Sequence, residues 1–381
     1  MKVLILSISA GSGHDKAAEA IKEMALKNII DSSVTVVDAL KYINPLIEKI
    51  VIGGYLRAIR NSPSIYSRLY NACDDEDALG NVNRMLNDML SQKIKALIDE
   101  YSPDVIVSTH PFHNEMLSVL KKKFGISIPV ISIITDYSIH NIGIHDYVDA
   151  YVIPHEDIKN ELIKRGVPED KIFSLGIPVG SHFTEKTDKQ SILDKMGLDN
   201  KKTILIMGGG LVLGPIQQVF SSLAYSTADI QIIIAAGHNK KLKTQLESIA
   251  KESSKVIKIF GYTDNISEIM SVSHIVVTKP GGLTISEAMV LGLPIIMLPP
   301  LPGQEERNSK YLIDNGIGIK LEKGDATAEK ILSFVNNSLW IEQTKIKMRE
   351  KAKPEAAANI ANLIAHYAKG NTTINKISPE S

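Results

Sequence analysis

A glycine turn that follows an apolar run carries residue types suited to a phosphate group. The apolar residues 274–278 predict a buried parallel strand, after which Pro280, Gly281 and Gly282 turn the chain into a helix that starts near Thr284. Glycine has no Cβ, so a ligand can approach the main chain while the N–H groups and dipole of the helix start face an anion. The turn therefore predicts a diphosphate site.

Carboxylate and amide side chains are predicted to lie beside this turn. Glu287 falls within about the first helical turn, where its oxygens can accept hydrogen bonds from a ribose diol, although it could instead decorate a helix N-terminus. The next predicted strand, 294–298, delivers Gln304, Glu305 and Asn308 to the same carboxyl edge of the sheet, where ligands of open α/β sheets bind. An amide with a carboxylate suits sugar hydroxyls; alone, this stretch would suit a solvated helix start.

A second glycine loop lies near the amino terminus. The segment SAGSGHDKAAEAI places Gly11, Gly13 and His14 where the first strand turns into a helix. An imidazole at a helix mouth suits a general base, because the helix N-terminus disfavours a second proton on the ring. His14 could also cap the helix or bind a lipid phosphate. A dinucleotide fingerprint with Asp38 as its acidic residue is a poor match, because such a loop does not place histidine after its second glycine.

Two further loops follow predicted strands of the first half. STHPF contributes His110 and Pro111, and IITDYSIHNIGIH contributes Asp136, His140 and His145. We expect them to line an acceptor site, with Asp136 orienting the base or sharing its role. Four of these side chains could form a metal site, but their spacing is not that of a helix-borne ligand pair, and we predict no metal.

The elements that position these residues alternate twice between strand and helix. In the first half the predicted strands are 2–9, 34–38, 105–108, 129–134, 150–153 and 172–174, with helices starting near His14, Asn83, Phe112 and Glu156. In the second half the predicted strands are 203–207, 230–235, 256–260, 274–278 and 294–298. Each half is a doubly wound α/β unit, and residues 178–190 read as the linker.

Composition restricts the class of partner. A chain of 381 residues exceeds one ordinary core and indicates two domains. Its 43 basic and 43 acidic residues balance, so no overall basic field would attract nucleic acid.

The single cysteine, Cys73, excludes an internal disulfide framework and fits a reducing cytosol. The apolar start of the chain is too short for a signal peptide and reads as the first strand.

Contact with a membrane is predicted to be peripheral. No stretch approaches the roughly 20 apolar residues that span a bilayer. Residues 42–70, however, mix aliphatic and tyrosine side chains with Lys49, Arg57, Arg60 and Arg68. This mixture suits an anionic membrane surface, and an ordinary pair of amphipathic surface helices would look similar.

The motifs TKPGGLTISEA and LPGQEERN resemble the carboxyl-terminal domain of the monogalactosyl- and processive glucosyl-diacylglycerol synthases. The resemblance extends from Val3 to about Leu312. It implies an α/β GT-B fold with two doubly wound Rossmann-like domains facing a cleft, a UDP-sugar donor and an inverting transfer. In that family's pattern Glu287 holds the ribose, while Gln304 and Glu305 hold the sugar.

The resemblance also implies roles for three glycine-containing loops. The amino-terminal GSGH is similar to the family's GxGH motif, which assigns His14 to the acceptor side, and Gly13 of the same loop is expected to contribute to binding of the donor. The loop MGGGLVLGPI resembles the family's MGGG loop, which faces the donor phosphates and here contains Gly208, Gly209 and Gly210. The uracil is implied to lie against the backbone from Ile259 to Tyr262, which includes Phe260 and Gly261.

The chain departs from its relatives at one position. Several relatives carry tryptophan two residues before the position of His145, where this chain has Gly143. The identity of the acceptor is therefore open. The tyrosine-bearing segment 42–70 resembles a comparable insert near the acceptor site of the family.

The expected organisation follows from these assignments. Residues 1–185 form an acceptor-binding domain, residues 186–353 a UDP-sugar-binding domain, residues 354–370 a helix that packs back on the first domain, and residues 371–381 a disordered tail. The protein is expected to bind a UDP-hexose and diacylglycerol or a similar lipid, with no tightly bound cofactor, at the cytoplasmic face of the cell membrane. A UDP-sugar epimerase or hydrolase, a nicotinamide dehydrogenase and a non-catalytic nucleotide-sugar sensor remain alternatives.

Overall fold

A computed structural model describes residues 1–9, 13–43, 80–139, 143–208, 215–322, 324–325 and 327–370. Several predicted features lie outside these residues: Gly11, Gly209, Gly210, His140, Cys73, most of the segment 42–70 and the tail 371–381. The chain forms two compact units that divide between Gly180 and Ser181 and again between Ala352 and Lys353. The carboxyl-terminal helix therefore belongs to the same unit as the first 180 residues.

The first unit contains a parallel sheet of six strands. Its strands are β1 (Lys2–Ser7), β2 (Ser33–Asp38), β3 (Val105–Ser108), β4 (Val130–Ile133), β5 (Ala150–Val152) and β6 (Ile172–Phe173), in the order β2-β1-β3-β4-β5-β6. Its helices are α1 (Gly13–Asn28), α2 (Ala39–Ile43), α3 (Gly80–Tyr101), α4 (Pro111–Phe124), α5 (Lys159–Lys164) and α14 (Ala356–Ala368). Strands β1, β3 and β4 are almost entirely buried, which explains their near-continuous apolar sequences.

The second unit repeats this plan. Its strands are β7 (Thr203–Met207), β8 (Gln231–Ala235), β9 (Ile257–Phe260), β10 (Ile275–Thr278), β11 (Ile295–Met297) and β12 (Gly318–Lys320), in the order β12-β11-β10-β7-β8-β9. Its helices are α6 (Lys189–Met196), α7 (Ile216–Ala224), α8 (Lys240–Lys251), α9 (Ile266–Ser271), α10 (Gly282–Leu291), α11 (Gln304–Asp314), α12 (Ala328–Val335) and α13 (Ser338–Lys351). The prediction of two doubly wound α/β units is confirmed.

Each strand order reverses at one point, and this reversal locates the expected ligand sites. In the first unit β1 lies between β2 and β3, and in the second unit β7 lies between β8 and β10. Ligands of open parallel sheets bind at the carboxyl ends of the strands where the order reverses. The topology therefore points to the loops after β1 and β3 and to the loops after β7 and β10.

The carboxyl-terminal helix completes the core of the first unit. Ile360, Leu363 and Ile364 of α14 are buried in a cluster that includes Val3 of β1 and Ile21 of α1. Helix α14 is rich in alanine, and its small side chains allow its backbone to lie close to that of α1.

Some predicted elements differ from the structure. The segment at Glu156 begins as a short 3-10 helix, Glu156–Ile158, before α5, and β6 has two residues instead of three. Strand β12 was not predicted, because three residues ending in lysine give no apolar run. Its Gly318 is required by packing: a Cβ there would lie 2.9 Å from Leu312 Cδ2 and 3.2 Å from the Ile295 carbonyl oxygen.

Candidate functional site

His14 lies at the switch point of the first unit with one ring nitrogen held by the main chain. It is the second residue of α1, and its Nδ1 is 2.8 Å from the carbonyl oxygen of Thr109, which follows β3. The hydroxyl oxygen of Thr135, after β4, lies 2.9 Å from the same nitrogen. A carbonyl oxygen only accepts hydrogen bonds, so Nδ1 carries the proton and the lone pair of a neutral ring is on Nε2. The imidazole is therefore oriented with a basic nitrogen.

His110 packs against this imidazole. The two rings meet edge to face, with centroids 4.6 Å apart. His110 is the N-cap of α4, and its Nδ1 accepts a hydrogen bond of 3.2 Å from the backbone N–H of Phe112. A ring nitrogen that accepts a hydrogen bond holds no proton, so Nδ1 of His110 is the acceptor in this cap. The cap holds the His110 ring beside that of His14.

A third histidine is fully buried behind this pair. His113 has no exposed surface, and its ring centroid lies 6.1 Å from that of His110. Among the described residues neither of its ring nitrogens has a hydrogen-bond partner. Burial, followed by the nearby charge of His14, lowers the pKa of His113 from 6.5 to about 3, although Asp38 opposes the shift. His113 is neutral at ordinary pH.

This buried histidine predicts an acid-sensitive fold. The unfolded chain binds a proton at His113 below pH 6.5, whereas the folded chain does so only near pH 3, so its contribution to stability is complete above pH 6.5 and is lost as the pH falls. We expect a loss of about 2 kcal/mol between pH 6.5 and pH 5, at about 1.4 kcal/mol per pH unit. Urea unfolding of wild type and His113→Leu at pH 7, 6 and 5 measures it. Parallel pH dependences of the two proteins would contradict it.

Asp136 and His145 lie in the segment between β4 and β5. Asp136 directly follows Thr135, so the chain places it close to the His14 ring, but its predicted role in catalysis is a proposal. His145 is held through its backbone: its N–H donates to the Tyr151 hydroxyl at 2.8 Å, and that hydroxyl donates to the His145 carbonyl at 2.9 Å. Burial raises the pKa of Tyr151 to about 12, so this clamp stays neutral.

A buried amide fixes the loop that contains Gly143. Asn114 of α4 donates from Nδ2 to the Ser132 hydroxyl at 2.8 Å and to the Gly143 carbonyl at 2.9 Å. A Cβ at Gly143 would lie 3.3 Å from Pro111 Cβ. The loop therefore packs directly on the start of α4, where glycine gives the closest fit.

Asp38 has a structural role at the end of β2. Its carboxylate accepts hydrogen bonds from the N–H groups of Ser9 and Lys41 and lies 3.4 Å from Lys41 Nζ. Burial raises its pKa, but the bonds from Ser9 and Lys41 outweigh burial and leave the pKa below its usual value. These contacts tie the end of β2 to Ser9 and to the start of α2.

In the second unit, the turn after β10 leaves open space for a ligand. Gly281 is the N-cap of α10, with Gly282 as the first helical residue and Pro280 before it. A Cβ placed on Gly281 would meet no atom within 4 Å. The N–H groups of a helix start beside open space are an arrangement that suits a diphosphate, and Thr284 lies in the same turn.

Glu287 is the sixth residue of α10 and is buried. Its side chain is 8% exposed, so it does not decorate a solvated helix start. Side chains of a helix point towards its N-terminus, which directs Glu287 back towards the Gly281 turn. Its position fits the predicted hydrogen bonds to a ribose, which remain a proposal.

Two side-chain contacts join the turn after β10 to the start of α11. Lys279 Nζ lies 3.2 Å from both oxygens of Glu305, and buried Asn308 donates from Nδ2 to the Pro280 carbonyl at 3.0 Å. The predicted sugar residues Gln304 and Glu305 are the first two residues of α11. Lys279 was not predicted as part of the site; a lysine directly after a buried strand was the only signal.

The other predicted donor residues that the structure describes lie at or just after the carboxyl ends of β7 and β9. Gly208 follows β7 and is buried, and Phe260 is the last residue of β9, with Gly261 and Tyr262 after it. The Tyr262 ring stacks on His238, with centroids 4.4 Å apart and planes 12° apart. These residues share the carboxyl edge of one sheet with Gly281 and Glu305, and their contacts with uracil and phosphates are proposals.

The described part of the chain lacks two kinds of feature. Among the described residues, no three His, Cys, Asp or Glu side chains lie close enough together to hold a metal ion. Within the same part of the chain, no helix has both the length and the apolar character needed to cross a membrane.

Comparison with known families covers both units. Residues 14–179 match the monogalactosyldiacylglycerol (MGDG) synthase family, and residues 203–364 match the glycosyltransferase family 28 C-terminal domain. The processive diacylglycerol beta-glucosyltransferase of Bacillus cereus strain B4264 is 32% identical over 365 residues, which cover 95% of this chain and 93% of that relative.

Solved structures share the fold at lower identity. MurG of Acinetobacter baumannii has a TM-score of 0.61 and 14% identity, covering 96% of this chain and 99% of that chain. The UDP-GlcNAc 2-epimerase of Neisseria meningitidis has a TM-score of 0.62 and 18% identity, covering 96% of this chain and 100% of that chain. These likenesses confirm the GT-B fold. The sequence matches show that the chain belongs to the family of monogalactosyldiacylglycerol synthases and processive diacylglycerol glucosyltransferases, and that it is a glycosyltransferase.

Proposed function

We propose that this protein is an inverting glycosyltransferase that moves a hexosyl group from a UDP-sugar to diacylglycerol or a glycosyl-diacylglycerol. The observation that carries the proposal is the His14 ring, whose Nδ1 is bound to the Thr109 carbonyl so that Nε2 can accept a proton. The names of the relatives support the lipid acceptor. A membrane lipid as acceptor requires peripheral contact with an anionic membrane surface, for which residues 42–70 are the candidate segment.

The reaction is a single displacement at the anomeric carbon. Nε2 of His14 takes the proton of the acceptor hydroxyl while the hydroxyl oxygen forms a bond to the anomeric carbon. The bond between the anomeric carbon and the UDP oxygen breaks at the same time. The electron pair leaves with UDP, so negative charge develops on the diphosphate. The N–H groups of the first turn of α10, from Gly282 to Thr284, stabilise this charge, and fixed dipoles act most strongly at that stage. Asp136 assists His14 by orienting it or by sharing its role as base.

The donor is held by the second unit. Glu287 accepts hydrogen bonds from the ribose, while Gln304 and Glu305 bind the hexose. A further set of residues of this unit belongs to the proposed donor site: Gly208, Gly209, Gly210, Phe260, Gly261, Tyr262, Pro280 and Thr284. No metal or tightly bound cofactor takes part in this proposal, since helix N-termini can meet the diphosphate charge.

Product formation from radiolabelled UDP-glucose, UDP-galactose and UDP-N-acetylglucosamine tests the proposal. Each donor is offered with vesicles that contain diacylglycerol and with matched vesicles that lack it. We expect label in the lipid phase with one preferred donor and only when diacylglycerol is present. Release of free sugar or of an epimer irrespective of diacylglycerol would indicate a hydrolase or epimerase, and UDP binding without turnover would indicate a sensor.

A further inference from the structure

The contact between Lys279 and Glu305 is a buried ion pair beside the predicted sugar site. The Lys279 side chain is 7% exposed and that of Glu305 is 22% exposed. Burial lowers the pKa of Lys279, and Glu305 opposes this shift. Transfer of an ammonium group from water into the protein interior costs free energy. A buried lysine at this position is therefore expected to have a function that outweighs this cost.

The hydrogen bonds of Glu305 leave one position open on its carboxylate. Oxygen Oε2 accepts from the Leu301 N–H at 2.7 Å and from Lys279 Nζ at 3.2 Å, which occupies both of its lone pairs. Oxygen Oε1 accepts only from Lys279 Nζ, also at 3.2 Å, among the contacts of the described residues. Two fixed donors thus hold the carboxylate in one orientation and leave one lone pair of Oε1 for a ligand.

Other contacts already secure this part of the fold. Asn308 ties α11 to the turn after β10 through its bond to the Pro280 carbonyl. The Gly303 N–H donates to Glu306 Oε2 at 3.2 Å and caps the start of α11. Since α11 is held at its start without the ion pair, the contribution of Lys279 is the orientation of Glu305.

We propose that Lys279 is a positioning residue that determines which hexose the protein accepts. It fixes Glu305 so that the single free lone pair of Oε1 accepts a hydrogen bond from one hydroxyl of the donor hexose. This inference rests on the proposed function, because it takes the donor to be a UDP-hexose. A site built to bind one hydroxyl rejects a sugar in which that hydroxyl points elsewhere, since a buried polar group is then left unpaired.

The test is a double-mutant cycle on donor binding. The variants are Lys279→Met, Glu305→Gln and the double variant, and the affinities for UDP, UDP-glucose, UDP-galactose and UDP-N-acetylglucosamine are measured by calorimetry. We expect each single variant to weaken binding of the preferred UDP-hexose by about 10- to 100-fold and to reduce discrimination among the sugars, with UDP affinity unchanged. In the double variant, Lys279→Met should add no further loss, because Lys279 acts through Glu305.

Two controls separate positioning from folding. Lys310→Met removes an exposed ion pair with Asp314 on the same helix, 2.7 Å long, and should change none of the affinities. The double variant carries no unpaired buried charge, so it should fold even if Lys279→Met alone does not, and its affinities should then match those of Glu305→Gln.

The outcomes distinguish this inference from the proposed function. Losses that add in the double variant, or equal losses for UDP and UDP-hexose, would overturn the positioning role. It would also fail if wild type bound UDP and the UDP-hexoses equally. A wild-type protein that selects one UDP-hexose but transfers nothing to diacylglycerol would contradict the acceptor, while the binding cycle would still decide the role of Lys279.

Discussion

Replacement of His14 by asparagine is expected to lower the turnover of hexosyl transfer about 10²- to 10⁴-fold, the usual contribution of a general base. The asparagine amide can donate to the Thr109 carbonyl as Nδ1 does, at a distance of 2.8 Å in wild type, but it has no basic nitrogen in place of Nε2. The variant therefore keeps the local contact and loses only the proton acceptor. The measurement is kcat under saturating donor and lipid.

A matched control separates the base from its surroundings. Thr135→Val removes the hydroxyl that lies 2.9 Å from Nδ1 but leaves the Thr109 carbonyl, so Nε2 stays basic. We expect a far smaller loss of turnover in this variant. His14→Asn with wild-type turnover and intact UDP binding would falsify the assignment of His14 as the base.

Substitution of Gly281 by alanine is expected to weaken UDP binding about 10- to 100-fold. A loss of this size corresponds to at least one charge-assisted hydrogen bond. Its φ of −76° is accessible to alanine, and a Cβ there would meet nothing within 4 Å. The free protein therefore accommodates the methyl group, and the change in stability should stay within about 1 kcal/mol. The methyl group instead occupies the space that the diphosphate needs. Titration with UDP measures the loss.

The other end of the same helix provides the control. Gly292 caps α10 with a φ of +63°, where alanine is strained by about 1 kcal/mol. Gly292→Ala should thus lower the free energy of unfolding while UDP affinity stays at the wild-type value. If both variants lost UDP affinity equally, the effect at Gly281 would come from the stability of α10, and the diphosphate would bind elsewhere.

The sequence predicts the strands of the two sheets well because buried parallel strands are short continuous apolar runs. Segments such as ILIM in β7 and IVVT in β10 have no competing pattern. Strand β12 and the 3-10 start at Glu156 escape prediction because neither has a periodic pattern. Boundaries there depend on packing, such as the close approach of Leu312 to Gly318.

The site was predictable in its residue types but not in its contacts. Gly281, Glu287 and Glu305 could be selected because they follow strands that share one edge of a sheet. The bond between His14 and the Thr109 carbonyl joins residues 95 positions apart, and no local pattern encodes it. Lys279 reads as an ordinary lysine until α11 brings Glu305 within 3.2 Å of it.

The stoichiometry of the reaction tests the central claim most directly. Purified protein is incubated with the preferred UDP-hexose and diacylglycerol vesicles, and both UDP released and hexose bound to lipid are quantified over time. Transfer predicts one hexosyl-lipid bond for each UDP released. UDP released together with free sugar, or an epimerised donor without UDP release, would contradict glycosyl transfer to lipid.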